Sequence, residues 1–250
     1  MLSDAYKLLL KNGANELNFV LDSLAIDRFE LYADRLHDAN RFMNLTRIPA
    51  ESTVSLHFLD SLTLGRAVQI QPGARMLDLG TGAGFPGLPI AIAFPGVHMT
   101  LADSTQKRLT FLETLIRELG VANVRLVHGR AEDLANSTLR QAFDIVVARA
   151  VARMDKLAGW MIPFVATSGV AVAYKSASAR AEIESARGSI ELQGCRLNRI
   201  QEVVLPGADI IRLLAIISRA DGSSITASRN QTTVRTRQQN RSRKENRHDG

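Results

Sequence analysis

From Arg75 to Ser218 short β-rich runs alternate with helical segments, and no other feature limits the fold of this chain as tightly. RMLDL precedes a helix from Pro86, and HMTLAD precedes one from Thr105. VRLVHG and FDIVVARA follow, with a helix near Met154, and GVAVAYK leads to a helix from Ala179. Alternating βα units predict a parallel sheet with helices on both faces. The last two runs, CRLNRIQEVVL and IIRLLAIIS, are joined only by PGAD, which predicts an antiparallel hairpin on one side of that sheet.

Residues 1–70 have a different rhythm. Ile26, Phe29, Tyr32, Leu36, Ala39 and Met43 recur at helical spacing, and RFMNLTRIP stops the helix, with Asn44 as a cap and Pro49 beyond. ESTVSLHFLDSLTLGRAV predicts a second helical stretch. The organisation expected is a helical region over 1–70, an α/β domain over 71–220 and a tail over 221–250. The tail holds seven Lys/Arg, among them Arg229, Arg235 and Arg237, against three Asp/Glu, and almost nothing apolar. That composition predicts a disordered polycation suited to RNA phosphates. It carries most of the formal net charge of +6, so the rest of the chain is only mildly basic.

No apolar run is long enough to span a bilayer, which argues against a membrane protein. The segment MLSDAYKLLLKNG has an early acid and no small-residue cleavage site, so no signal peptide is expected. Cys195 is the only cysteine; it can form neither an internal disulfide nor a zinc site, consistent with a cytoplasmic protein. Without a secretory signal, the match of Asn44-Leu45-Thr46 to a glycosylation acceptor carries no weight.

The first strand ends in MLDLGTGAGFPGLP, Met76 to Pro89. A triphosphate loop needs Lys-Ser/Thr after its glycines, and Leu88-Pro89 stand there instead. Gly82, Gly84 and Gly87 do spell a dinucleotide fingerprint. Against it, Asp78 would repel a pyrophosphate, and Pro86 and Pro89 remove N–H donors where it should dock. S-adenosylmethionine has no phosphate. Asp78 suits its cationic methionine end, Gly80 and Gly82 permit close approach, and Asp103 suits the ribose hydroxyls. GRAEDL, Gly129 to Leu134, offers an acid for the adenine amine.

The GAGFPGLP loop, NLT, HFLDSL, ADSTQKRLTFL and ARA together resemble the RsmG family, bacterial small-subunit ribosomal RNA methyltransferases also called glucose-inhibited division protein B, over roughly residues 5–220. The resemblance implies the Rossmann-like sheet of class I S-adenosylmethionine-dependent methyltransferases, with the helical region as an N-terminal appendage. It implies methyl transfer to N7 of a guanine in small-subunit ribosomal RNA, naked or in a particle, by a monomer. It places cofactor contacts on Gly80, Phe85, Ala131, Glu132 and Arg149. YKS, Tyr174 to Ser176, stands where the family has LKG, and the basic tail is an addition.

The chemistry agrees. After the fourth strand, where an exocyclic-amine methyltransferase carries its D/N-P-P-Y motif, this chain has ARAVAR. Guanine N7 carries an in-plane lone pair and no proton, so positioning suffices without a base. Arg149 can hold the cofactor, an RNA phosphate or guanine O6; alternatively it pairs with Asp144 or a helix acid. On the functional reading, Arg149→Ala loses activity and keeps the fold. Lys175 can meet phosphate or be a solvated strand-end lysine. His57, Asp60 and Ser61 can line an RNA entrance or pin the helical region to the core, and Lys107 and Arg108 read as helix-surface charges first and RNA contacts second. Competing with a methyltransferase are a nicotinamide-dependent oxidoreductase and a non-catalytic RNA-binding module.

Overall fold

The computed structural model describes residues 4–220, so the basic tail and its arginines Arg229, Arg235 and Arg237 lie outside the described residues. Helix α1 spans Asp4–Glu16 and α2 spans Ser23–Met43. Asp22 Oδ1 caps α2 by accepting from Ala25 N–H at 2.7 Å, and Asn44 ends it in the left-handed conformation, φ 49°. The second helical stretch is broken: a 3₁₀ turn at Ala50–Ser52, a π-helical turn at Val54–Leu59, then short α pieces Asp60–Leu62 and Leu64–Ala67. A π turn inserts an extra residue into the helical repeat, a device concentrated at functional sites. Here it holds His57, and Asp60 follows directly, both buried.

Seven strands form one sheet: β1 Arg75–Leu79, β2 His98–Asp103, β3 Val124–His128, β4 Phe143–Arg149, β5 Val165–Ser176, β6 Cys195–Val204 and β7 Ile211–Arg219. Their order is β3-β2-β1-β4-β5-β7-β6. The first five run parallel; β7 is antiparallel to both β5 and β6, so the terminal hairpin inserts β7 inside and leaves β6, with Cys195, at the edge. The central strands β1, β4, β5 and β7 are apolar on both faces, as strands covered on both sides require. Period two divides them: Met76, Ile145, Val147 and Val172 face one core, and Leu77, Val146, Ala148 and Ala173 face the other.

The helices Met154–Met161, Arg180–Ser185 and Arg187–Glu191 cover the second core, through Leu157, Ile183 and Ile190. The first core is covered by the helices Gly87–Ala93 and Gln106–Leu119 together with α1, α2 and the π turn. Leu10, Phe29, Leu36 and Phe58 sit in the same apolar cluster as Met76 and Val147. The N-terminal region is helical, as its spacing predicts, and it is a layer of the fold itself.

Candidate active site

The connection order reverses between β1 and β4, which places a crevice at the carboxyl ends of the strands, where open α/β sheets bind ligands. Two cavities meet there at Gly80. The smaller, about 210 Å³, is walled by Asp103, Ser104, Gly129, Ala131, Glu132, Val151 and Trp160. The larger, about 880 Å³, runs over Gly82 and Phe85 to Arg149, His57, Thr46, Lys175 and Arg212. The residues marked for a cofactor thus assemble around one two-lobed cleft, with one exception.

The exception is Asp78, which is fully buried and lines neither cavity. Period two puts it on the face of Met76, beneath the helix Gly87–Ala93. Its Oδ2 accepts from Thr81 Oγ1 at 2.6 Å and from Gly87 N–H at 2.8 Å, while Oδ1 has no partner. Burial raises its pKa to about 6 against the pull of those two hydrogen bonds. The expectation that Asp78 meets a cationic ligand directly is therefore corrected. It fastens the glycine loop to the helix that follows.

The loop spends its own donors. Gly80 and Thr81 N–H both donate to Ala102 C=O, Gly82 N–H to Asp103 Oδ2, and Gly84 and Phe85 N–H to Thr81 C=O. Gly87 N–H goes to Asp78 and Leu88 N–H to Gly84 C=O. Pro86 has no N–H. From Gly80 to Leu88 only Ala83 N–H is left, and a pyrophosphate needs a cradle of such groups. The dinucleotide reading fails on this count.

S-adenosylmethionine has no such need, and the residues fit it. Gly80, Gly82 and Gly84 all have positive φ, from 62° to 108°. A Cβ on Gly82 would meet no atom within 4 Å, so this glycine faces open space in the cleft. Asp103 is 3% exposed; it accepts from Gly82 N–H (2.9 Å), Thr105 N–H (2.8 Å) and Arg108 Nη1 (3.3 Å). Three bonds on a carboxylate leave room for a further donor such as a ribose hydroxyl. Arg108 is an exposed charge, as read from the sequence, and it also borders the cleft.

Arg149 is held in place from the N-terminal region. Its Nη1 donates to Asp60 Oδ2 at 2.7 Å and to Leu56 C=O at 3.1 Å, and Nη2 donates to His57 Nδ1 at 2.8 Å. It also lies over the Phe85 ring, 5.0 Å from the centroid. Asp144 pairs with Arg75 instead. Asp60, fully buried, accepts from Arg212 Nε (2.6 Å) and Nη2 (2.9 Å) as well. The acid clamps the ends of β4 and β7.

His57 is 4% exposed and stacks on Phe85, and both ring nitrogens are occupied, Nδ1 by Arg149 and Nε2 by Thr46 Oγ1 at 2.8 Å. It offers RNA no polar atom, which favours the second of its two readings, a pin between the helical region and the core. It pins the wall of the cleft. Burial, then Arg149 and His37, push its pKa down to about 3. Lys175 is not a solvated strand-end lysine: Nζ donates to Glu182 Oε1 at 2.8 Å and to Ala152 C=O at 2.6 Å, leaving one donor of three.

Thr46, Trp160 and Arg212 escaped the sequence reading. Arg212 left a signal, a lone charge opening an apolar strand run. Thr46 stands in the NLT motif, which carried the resemblance without pointing to a role, and Trp160 left no signal, since only folding brings it to the crevice.

The chain has relatives among known proteins. The family described as rRNA small subunit methyltransferase G matches residues 25–211. The "Ribosomal RNA small subunit methyltransferase G" of Thermoanaerobacter sp. (strain X514) is 40% identical over 216 residues, 85% of this chain and 90% of its own. That of Lachnoclostridium phytofermentans is 42% identical over 209 residues, 83% of this chain and 86% of its own. In fold, the chain is similar to a SAM-dependent methyltransferase from Aquifex aeolicus, with TM-score 0.50, 16% identity, and coverage of 66% of this chain and 92% of that one. A solved structure from Pyrococcus horikoshii gives TM-score 0.51 at 13% identity over 64% of each chain. With the family match spanning most of its length and the cleft built from the residues that first suggested the resemblance, this chain belongs to the rRNA small subunit methyltransferase G family.

Proposed function

We propose that this chain transfers a methyl group from S-adenosylmethionine to N7 of a guanine in small-subunit ribosomal RNA. The observation that carries the choice of acceptor is the state of the titratable groups in the larger cavity. Its two carboxylates, Asp60 and Glu182, are each paired with a cation, and both nitrogens of His57 are engaged. A wall without a spare base suits a nucleophile that brings its own lone pair and has no proton to lose.

S-adenosylmethionine supplies an electrophilic methyl on a cationic sulfur. The protein's part is placement. Gly80 and Gly82 let the backbone approach the ligand, Asp103 takes the hydroxyls of a nucleoside, and Ala131 and Glu132 close the smaller cavity. Phe85, His57 and Arg149 form a stacked, cation-bearing wall of the cavity that receives the base. A rigid wall of this kind lowers the entropic part of the barrier. The remaining donor of Lys175 is directed at RNA phosphate.

The same reading places the protein in the cytoplasm as a monomer acting on ribosomal RNA, free or in a particle. Among the described residues no helix is long and apolar enough to cross a membrane. Incubating the purified chain with labelled S-adenosylmethionine and small-subunit RNA from cells lacking the gene should yield label in 7-methylguanine. Label in another base, or NADH binding tighter than S-adenosylmethionine, would overturn the assignment.

A further inference from the structure

Thr46 stands in the wall of the larger cavity, with its backbone held on both sides by one asparagine: Thr46 N–H donates to Asn40 Oδ1 at 2.9 Å and Asn40 Nδ2 donates to Thr46 C=O at 3.0 Å. A hydroxyl has two lone pairs and one proton. Ile48 N–H donates to Thr46 Oγ1 at 3.0 Å, which occupies the first lone pair. His57 Nε2 lies 2.8 Å from the same oxygen.

The direction of that second bond is fixed from the other side of the ring. His57 Nδ1 faces Arg149 Nη2 at 2.8 Å, and a guanidinium only donates. Nδ1 must therefore be the acceptor, and the proton of the neutral ring sits on Nε2, where it donates to Thr46. Both lone pairs of Oγ1 are then taken. The hydroxyl can act only as a donor, and no acceptor among the described residues takes its proton.

We propose that Thr46 donates this proton to O6 of the target guanine and so determines that guanine, not adenine, is methylated. The inference rests on the guanine-N7 reading above. N7 and O6 are adjacent acceptors on one edge of guanine, whereas adenine presents N7 beside an amino donor. Adenine N7 has the same kind of lone pair, so the chemistry of transfer does not separate the two bases. A hydroxyl locked as donor does: it completes the guanine edge and meets the adenine amine donor to donor. His57 and Arg149 act as positioning residues, since their bond sets the polarity of Thr46.

The test uses full-length protein and small-subunit RNA, free or in particles, whichever the native chain methylates. The position the native chain methylates is mapped first. It is then filled with guanine, inosine or 2,6-diaminopurine; inosine keeps O6, and 2,6-diaminopurine replaces it with an amine. The native chain should methylate guanine and inosine alike and disfavour 2,6-diaminopurine. Thr46→Val should lower kcat/KM on guanine roughly 10- to 100-fold, the range of one good base contact, and shrink the preference for guanine over 2,6-diaminopurine by a similar factor. Thr46→Ser should restore the preference, with S-adenosylmethionine affinity by calorimetry unchanged throughout. A merely structural threonine would lower both substrates together. A native chain with no preference between guanine and 2,6-diaminopurine overturns the role of Thr46, whatever the variant does. So does Thr46→Val with the native ratio. A native chain that methylates no guanine overturns the underlying reading instead.

Discussion

The His57 ring lies on that of Phe85, 4.1 Å between centroids and 9° from parallel, and so joins the π turn to the glycine loop. Tyr32 stacks on Phe85 too, at 5.2 Å and 3°, and its hydroxyl donates to Ala83 C=O at 2.6 Å. Phe85 is thus the junction of three elements and is 5% exposed. Phe85→Ala should cost about 3–5 kcal/mol of stability, the usual range for emptying such a site. Urea unfolding that places the variant within 1 kcal/mol of the native chain would show that the stack carries no load.

Neighbouring glycines of one loop should respond in opposite ways. Gly82→Val adds atoms only to open space, so it should bear the backbone strain of its positive φ, about 1–2 kcal/mol, and block cofactor binding. Gly84→Ala would bring a Cβ to 2.5 Å from Tyr32 Oη and should unfold at lower denaturant than Gly82→Val. Calorimetry and unfolding curves on both variants separate the effects; full S-adenosylmethionine binding by Gly82→Val would remove the loop from the site.

Arg149→Ala was expected from sequence alone to spare the fold. The structure reverses that expectation, because the change strips a partner from a fully buried Asp60. Arg212 still pairs with Asp60, so the cost is that of lost charged hydrogen bonds and not of an uncompensated charge, about 1.5–3 kcal/mol. Activity and stability should therefore fall together. A variant as resistant to urea as the native chain would return Arg149 to a purely functional role.

Asp78 and His57 pull stability in opposite directions across one pH window. The folded pKa of Asp78, about 6, is above its ordinary 3.8, so its contribution is complete below about pH 4 and is lost as pH rises through 6. That of His57, about 3, is below 6.5, so its contribution is complete above 6.5 and is lost as pH falls toward 3. Between pH 4 and 6 the two slopes, each about 1.4 kcal/mol per pH unit, nearly cancel. Asp78→Asn should make stability climb with pH relative to the native chain, and His57→Phe should make it fall. Parallel profiles for all three proteins would refute both assignments.

The tail offers a prediction about ionic strength. If its excess of arginine gathers phosphates, deleting residues 221–250 should weaken RNA binding and flatten its salt dependence by about 0.7–0.9 in slope per lost contact. The methylated base should stay the same, because phosphate contacts position without reading sequence. Equal slopes with and without the tail would leave it no part in binding RNA.

The parallel sheet, its antiparallel closing hairpin and the place of the crevice were legible because βα alternation and a glycine loop are local patterns. Gly80, Gly82 and Asp103 follow from that logic, since each sits at or just beyond a strand end. Asp78 misled because a charge beside a glycine loop reads as a ligand contact, whereas strand period two buries it. The partners of Arg149 lay 89 and 92 positions away in the chain, and no local pattern announces a contact of that separation. The break in the second helical stretch was equally hidden, because one inserted residue shifts the apolar spacing too little for so short a stretch to reveal it.

Asp60 binds Arg149 at the end of one strand and Arg212 near the start of another, and it belongs to the helical region that precedes the sheet. The chain therefore cannot be dissected into a catalytic module and a removable recognition module. A hybrid that exchanges residues 1–70 for those of a relative must keep this acid in register with both arginines. Exchange at that seam is constrained by one carboxylate as well as by the apolar layer that Leu10, Phe29, Leu36 and Phe58 lay on the sheet.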